Sequence, residues 1–260
     1  MARRRKILDA SPSSSIRQKA YLCIHRKIAE GELKAGDAIL ELNLAKELGS
    51  SRTPIREAIS QLIAEGLLEQ NPGGGIFVVQ FTREDVLDLC ELREALETYA
   101  LSKVARLGLM RPSDRDRLQK LVDAILLLKN ELQKAGETAL NAEQMRRFIA
   151  ADFSFHALLL GLSQNARIHK AVIETRLLMR IFSMRRSGHN SADLERIQQQ
   201  HKDLLDAIER GDVPETTRII SEHLQESQRE RLREFDQYKR EASIKNSIPA
   251  FLAMYQPLEL

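Results

Sequence analysis

The chain is short of the residues that staple or punctuate a fold. Only two cysteines, Cys23 and Cys90, occur in 260 residues, which excludes a disulfide scaffold and fits a reducing compartment. No apolar run approaches the ~18 residues of a membrane span. The basic start, Met1-Ala2-Arg3-Arg4-Arg5-Lys6, leads into no apolar stretch of the kind a secretory leader needs. A cytoplasmic protein with no membrane partner is therefore expected. Beyond residue 80 there are five glycines and four prolines, with few β-branched or aromatic clusters. No internal repeat marks a solenoid.

Between these sparse breaks the text is charged and amphipathic. At 43% apolar and 30% charged residues, the chain is too apolar for disorder and long enough for two domains. The net charge of +3 is unevenly placed. Residues 1–80 hold 12 Lys/Arg against 9 Asp/Glu, and residues 81–260 hold 28 against 28. The positive excess sits in the first third, as in a nucleic-acid-facing head on a neutral body.

Apolar residues recur at i, i+3, i+4 and i+7 over 83–107, 113–135, 141–163, 166–186, 191–210 and 213–237, which predicts six helices. Leu87, Cys90, Leu101 and Val104 mark the first; Leu118, Leu121, Ile125, Leu128 and Leu132 mark the second. An antiparallel six-helix bundle over 81–237 is the economical architecture, followed by a tail, 238–260, containing Pro249 and Pro257. The first 80 residues read differently. After a flexible basic arm, 1–15, the pattern predicts a helix over 16–30, a strand over 37–40 and a helix over 41–48. A third helix, N-capped by Ser50 or Ser51, runs to Ala64. Two strands, 67–70 and 76–79, flank the tip Asn71-Pro72-Gly73-Gly74-Gly75. This order, over 16–80, is that of a winged helix-turn-helix. The expected fold is thus mainly α: a winged head and an all-α bundle.

The run Ser51-Arg52-Thr53-Pro54-Ile55-Arg56-Glu57 carries the chemistry of the head. Pro54 falls in the first turn, where its missing N–H has no helical partner to lose. Arg52 and Arg56, four apart, share one face; Ile55, Ala58, Ile59 and Leu62 lie opposite. Arginine pairs with guanine O6 and N7, while Ser51 and Thr53 suit phosphate. Gly73 and Gly74 let a wing backbone come close to DNA. The plainer alternative is a surface helix with two solvated arginines. The Arg3–Lys6 run suits either a minor-groove arm or a solvated tail.

In the bundle, Asp152 and His156 in Asp152-Phe153-Ser154-Phe155-His156 stand one helical turn apart. His201 lies 10 residues before Gly211 and His223 lies 12 after it. At ~1.5 Å per residue these are ~15 and ~18 Å from the turn, nearly one level of an antiparallel pair. One carboxylate and three imidazoles at one level suit a divalent metal, zinc first, with nickel or manganese as alternatives. The alternative is that each histidine completes a polar contact in a helical core. His25, His169 and His189 have no comparable partners and read as structural or surface residues. Arg93 either points inward as a fixed cation for a ligand carboxylate or forms an i,i+4 surface pair with Glu97.

These residues together resemble the GntR family of bacterial transcription regulators. The matching text is Leu44-Ala45, Leu48-Gly49, the Ser51–Glu57 run, Leu62, Glu65-Gly66-Leu67-Leu68 and the glycine tip before Val78. The resemblance implies that Arg52, Thr53, Arg56 and the wing glycines contact operator DNA. The FadR subfamily can carry a further DNA-touching arginine on the preceding helix; Leu42 stands there instead. Residues 83–236 resemble the FCD effector domain, in its six-helix, VanR-like branch. That family's metal pattern, an Asp and His one turn apart and then two later His, matches Asp152, His156, His201 and His223. Asn165 and the Ala207–Asp212 stretch also fit, as do Arg93 and Glu97 on the first effector helix. The resemblance thus implies a homodimeric repressor of a catabolic operon, with a small carboxylate effector bound near Arg93 and Asn165. Two other functions fit parts of the sequence. A metal-dependent hydrolase could use the Asp/His3 site, although no His-Glu-x-x-His motif is present; a helical interaction scaffold would leave the basic Ser51–Arg56 helix start without a purpose.

Overall fold

A computed structural model of the chain describes residues 15–29, 32–182 and 188–247. The basic arm at Arg3–Lys6 and residues 248–260, with Pro249 and Pro257, lie outside them. The chain divides into two compact units, residues 1–80 and 81–260.

In the first unit, α1 (Ile16–Ala29), α2 (Glu41–Glu47) and α3 (Arg52–Ala64) precede the hairpin β1 (Leu68–Gln70) and β2 (Ile76–Val78). The hairpin is antiparallel, with Leu68 opposite Val78 and Gln70 opposite Ile76. Helix α3 buries Ile55, Ala58, Ile59 and Leu62, the i, i+3, i+4, i+7 set of one helical face. It packs on α1, α2 and β1. The strand expected over 37–40 is reduced to a single bridge, Ala38 to Phe77. Gly36 at φ +86° and the start of α2 at Glu41 leave too little extended chain between them for more.

Among its described residues the second unit is a bundle of six helices: α4 (Arg83–Leu107), α5 (Pro112–Ala135), α6 (Ala142–Leu162), α7 (Ala166–Phe182), α8 (Ser191–Glu209) and α9 (Val213–Ser247). Their starts are written in the sequence. Thr82 with Asp85, Asn141 with Gln144 and Asn190 with Asp193 form reciprocal capping boxes. Helix α9 continues past the expected end at residue 237. Nothing in 238–247 breaks it: the first proline beyond is Pro249.

Helix α4 packs against α9, α7, α8 and α6, while α5 covers α6 and α8. One part of the core gathers Leu101, Val104, Leu118, Phe155, Leu159, Leu205, Ile208 and Ile220. A second gathers Ile125, Leu128, Leu132, Phe148 and Ile197. Between these apolar regions lie buried polar residues from five of the six helices: Arg93, Glu97, His156, Arg176, His201 and His223. Among the described residues no helix is long and apolar enough to cross a membrane.

Neighbouring leucines of α5 test this packing. Leu128 is 1% exposed and Leu127 is 57% exposed. Leu128→Ala should cost ~2–5 kcal/mol in urea unfolding, and Leu127→Ala should stay within about 0.5 kcal/mol of the parent. Equal costs would contradict the assignment of faces.

Candidate DNA-reading face and candidate metal centre

Helix α3 begins with Ser51 in the N-cap position, yet the Ser51 side chain does not cap its first amides. Ser51, Arg52, Thr53 and Arg56 are all exposed. Arg56 is not fully unengaged: its Nε donates to Glu41 Oε2 at 2.8 Å, reaching back to α2. Gly73 and Gly74 lie exposed at the hairpin tip. Gly74 has φ +86° and donates its N–H to the Asn71 carbonyl at 2.8 Å, a turn that a side-chain-bearing residue would strain. Leu42, where the subfamily can carry arginine, is 45% exposed.

In the second unit the structure brings Asp152, His156, His201 and His223 together, with one possible ligand atom from each inside a 4.8 Å span. Asp152 and His156 share one face of α6, His201 comes from α8 and His223 from α9. The ring centroids of His201 and His223 are 4.9 Å apart, and His156 lies 5.3 and 5.2 Å from them. The Asp152 Oδ1 atom is 3.8 Å from His156 Nε2 and 3.6 Å from His201 Nε2.

Around the four stands a layer of charged and polar partners. His156 Nδ1 bonds Glu97 Oε2 at 2.9 Å, and His223 Nδ1 bonds Gln200 Oε1 at 2.9 Å. Arg176 donates from Nη2 to Asp152 Oδ2 at 2.8 Å and from Nη1 to Glu97 Oε1 at 3.3 Å. Arg93 Nε donates to Glu97 Oε1 at 2.9 Å. Arg93 therefore does pair with Glu97, but the pair is buried rather than on the surface. Arg176, absent from the sequence-based site, is central to it. It follows Glu174-Thr175 on a helix where no spacing ties it to the histidines.

A cleft, partly open to solvent, runs along this layer. Its walls include Arg93, Arg176, Asp152 and His223, then Arg196 and His189 farther along. His189, expected to be structural or on the surface, is buried edge-on against Phe148 and forms part of the wall. Asn165 does not line the cleft. Its side-chain oxygen accepts from the N–H groups of Arg167 and Ile168 at 3.1 Å, capping α7. It also follows Leu162, which is ~15 Å along α6 from Asp152. The structure thus shows Asn165 as a helix cap, and no contact places it with Arg93.

Burial governs the charges here. It pushes the His201 pKa down to about 3, aided by neighbouring His156. Burial likewise holds His223 well below its usual value, and lowers His156 together with Arg176. For Glu97 burial pulls upward, but Arg93 and Arg176 more than offset it and keep the carboxyl ionised. Asp152 follows the same logic, with burial outweighed chiefly by Arg176. The result is one carboxylate and three neutral imidazoles, the forms in which these groups ligate a metal.

A pH dependence follows. These imidazoles take up protons in the unfolded chain near pH ~6.5, but His201 in the folded chain resists protonation until about pH 3. Acid therefore favours unfolding through this window. Chelator-treated protein should lose stability as pH falls below ~6.5, and His201→Gln should flatten that slope in urea melts. A stability independent of pH across the window would contradict the burial of neutral imidazoles.

Two family models match the chain. That of the bacterial regulatory proteins of the gntR family covers residues 16–78, and that of the FCD domain covers residues 88–226. An HTH-type transcriptional regulator in an unstable DNA locus of Streptomyces ambofaciens is 30% identical over 80% of this chain and 81% of its own. A protein of Paenarthrobacter nicotinovorans named "Probable D-xylose utilization operon transcriptional repressor" is 26% identical over 76% of this chain and 80% of its own. The solved structure of E. coli McbR/YncC shares the fold, with a TM-score of 0.65 at 21% identity over 86% of this chain and 99% of that one. The hydrolase and scaffold alternatives both fall against these matches. The chain is a transcriptional regulator, not an enzyme, and belongs to the GntR family, with an FCD domain following its DNA-binding domain.

Proposed function

We propose that this regulator binds operator DNA as a homodimer, and that its second unit holds a divalent metal which, with Arg93 and Arg176, receives a small carboxylate effector. The observation that carries the metal reading is a set of buried atoms. His156 Nε2 and both ring nitrogens of His201 have no hydrogen-bond partner, although they converge with Asp152 and His223. An unsatisfied buried polar atom costs ~1–3 kcal/mol, and a metal bond removes that cost. The donor set fits zinc, with nickel or manganese as alternatives. Asp152, His156, His201 and His223 would hold the ion, which supplies a fixed positive charge that an acid can ligate. The guanidiniums of Arg93 and Arg176 line the same cleft and offer planar donor forks to a carboxylate.

Several features support the DNA reading. The first amides of α3, which the Ser51 side chain does not cap, suit a phosphate together with the hydroxyls of Ser51 and Thr53. Arg52 and Arg56 suit guanine edges; the bond to Glu41 uses only Arg56 Nε, leaving both Nη groups for a base. Gly73 and Gly74 allow a close approach of the wing. Two copies would place two α3 helices on successive major-groove faces of a near-palindromic operator. Leu92, Tyr99 and Leu107, exposed along α4, offer an apolar stripe to a second copy. We read the regulator as a repressor of a catabolic operon, in keeping with the xylose-operon relative. An acid effector acts only through its different affinities for the DNA-competent and DNA-incompetent states.

Arg52→Ala or Arg56→Ala should cost ~1–3 kcal/mol of binding to an operator selected from random duplexes. Folding and self-association should be unchanged. Full affinity in both variants would overturn the role of α3. In the second unit, His156→Ala, His201→Ala or His223→Ala should strip metal from protein taken straight from cells, as read by elemental analysis. Full occupancy in all three would place the metal elsewhere. Di- or tricarboxylates should raise the melting temperature of metal-loaded protein, and far less in Arg93→Ala. An unaltered response in that variant would remove Arg93 from the effector site.

A further inference from the structure

Two of the three clustered imidazoles have their proton position dictated by the residues behind them. Glu97, as a carboxylate, can only accept, so its 2.9 Å bond to His156 Nδ1 places the proton on Nδ1. The lone pair is then on Nε2. Behind His223 stands a side-chain amide whose two ends differ. Gln200 Nε2 donates to Glu226 Oε2 at 2.9 Å, and Arg196 Nη1 donates to the same oxygen. Glu226 is an acceptor here, so the amide nitrogen must face it and the amide oxygen must face His223 Nδ1, 2.9 Å away. His223 therefore carries its proton on Nδ1 and keeps Nε2 for the cluster. His201 differs: its Nδ1 is buried without a hydrogen bond, and its ring stacks on Phe155 at 4.1 Å and 12°.

We propose that Gln200, held by the Glu226–Arg196 pair, is a positioning residue that presets the His223 tautomer for a metal. It rests on the reading of the four-residue cluster as a metal site. The chain of bonds has a further consequence, because Arg196 also lines the cleft. An anion that draws on the Arg196 guanidinium acts on the metal site through Glu226 and Gln200. Ligating histidines commonly depend on such outer partners, whose loss lowers metal affinity ~10–100-fold.

Long-range proton–nitrogen NMR on full-length, chelator-treated protein reads the tautomer without any metal. His223 should show the Nδ1–H form in the parent and lose that preference in Gln200→Leu, with circular dichroism checking the fold. Zinc alone, titrated against a chromophoric chelator, should bind Gln200→Leu ~10–100-fold more weakly. Arg196→Met should weaken zinc in the same direction. The double variant should lose no more than Gln200→Leu by itself, as expected for residues acting in one chain. An Nε2–H tautomer in the parent, or zinc binding undiminished in Gln200→Leu, overturns the role of Gln200. Additive losses overturn the link to Arg196. If the parent binds neither zinc nor nickel nor manganese, the metal reading itself falls and this role with it, and the tautomer result separates that failure from one confined to Gln200. Should Gln200→Leu not fold, the parent tautomer decides.

Discussion

Glu97 has no surface left to water, and the interior of the helical unit depends on keeping it charged. An isolated buried carboxylate would take up a proton rather than bear the loss of hydration. Here Arg93 from its own helix, Arg176 from α7 and His156 from α6 all bond it. Removing one partner of such a group typically costs ~3–5 kcal/mol, yet replacing the whole group by apolar residues is often neutral. Stability alone therefore does not account for this carboxylate. Its geometry does: Glu97 orients His156, and through Arg176 it is tied to Asp152, so two of the four clustered residues are steadied by one network.

The remaining two arrive through the α8–α9 hairpin. Gly211, at φ +68°, turns the chain so that His201 and His223 meet near one level. Phe155, fully buried, lies one residue before His156 and forms the flat surface on which His201 stacks. Apolar packing and polar placement are thus parts of one arrangement. Leucines and isoleucines fix the helices, and the helices bring together neutral imidazoles that burial keeps from protonating. The exposed face of α3 rests on the same division of labour, with Ile55, Ile59 and Leu62 behind and Arg52 and Arg56 in front.

Much of this was legible because helical geometry is periodic. The i,i+4 spacing of Asp152 and His156, and the matched distances of His201 and His223 from Gly211, needed only the helical rise. The helix starts near 83, 141 and 191 followed from apolar periodicity, and the structure adds the caps Thr82, Asn141 and Asn190. Arg176 was not legible, because its partners, Asp152 and Glu97, lie on other helices and no local pattern announces them. His189 was left open between a structural and a surface role, because its burial depends on Phe148, far away in sequence. The capping role of Asn165 was not legible, because a helix-capping asparagine and a ligand-binding one look alike in sequence. Arg93 offered two readings that the fold combined, since an i,i+4 pair is on the surface only if that face of the helix is. The short 37–40 segment failed as a strand because the turn at Gly36 and the start of α2 left it almost no length.

The central claim is a buried metal bound through nitrogen and oxygen alone. X-ray absorption at the metal edge, on protein purified without added metal, tests it most directly. The account predicts a first shell of nitrogen and oxygen at ~2.0–2.2 Å with the outer-shell signature of several imidazoles. A sulfur shell at ~2.3 Å, which would implicate Cys23 or Cys90, or an edge too weak for a stoichiometric ion, would contradict it.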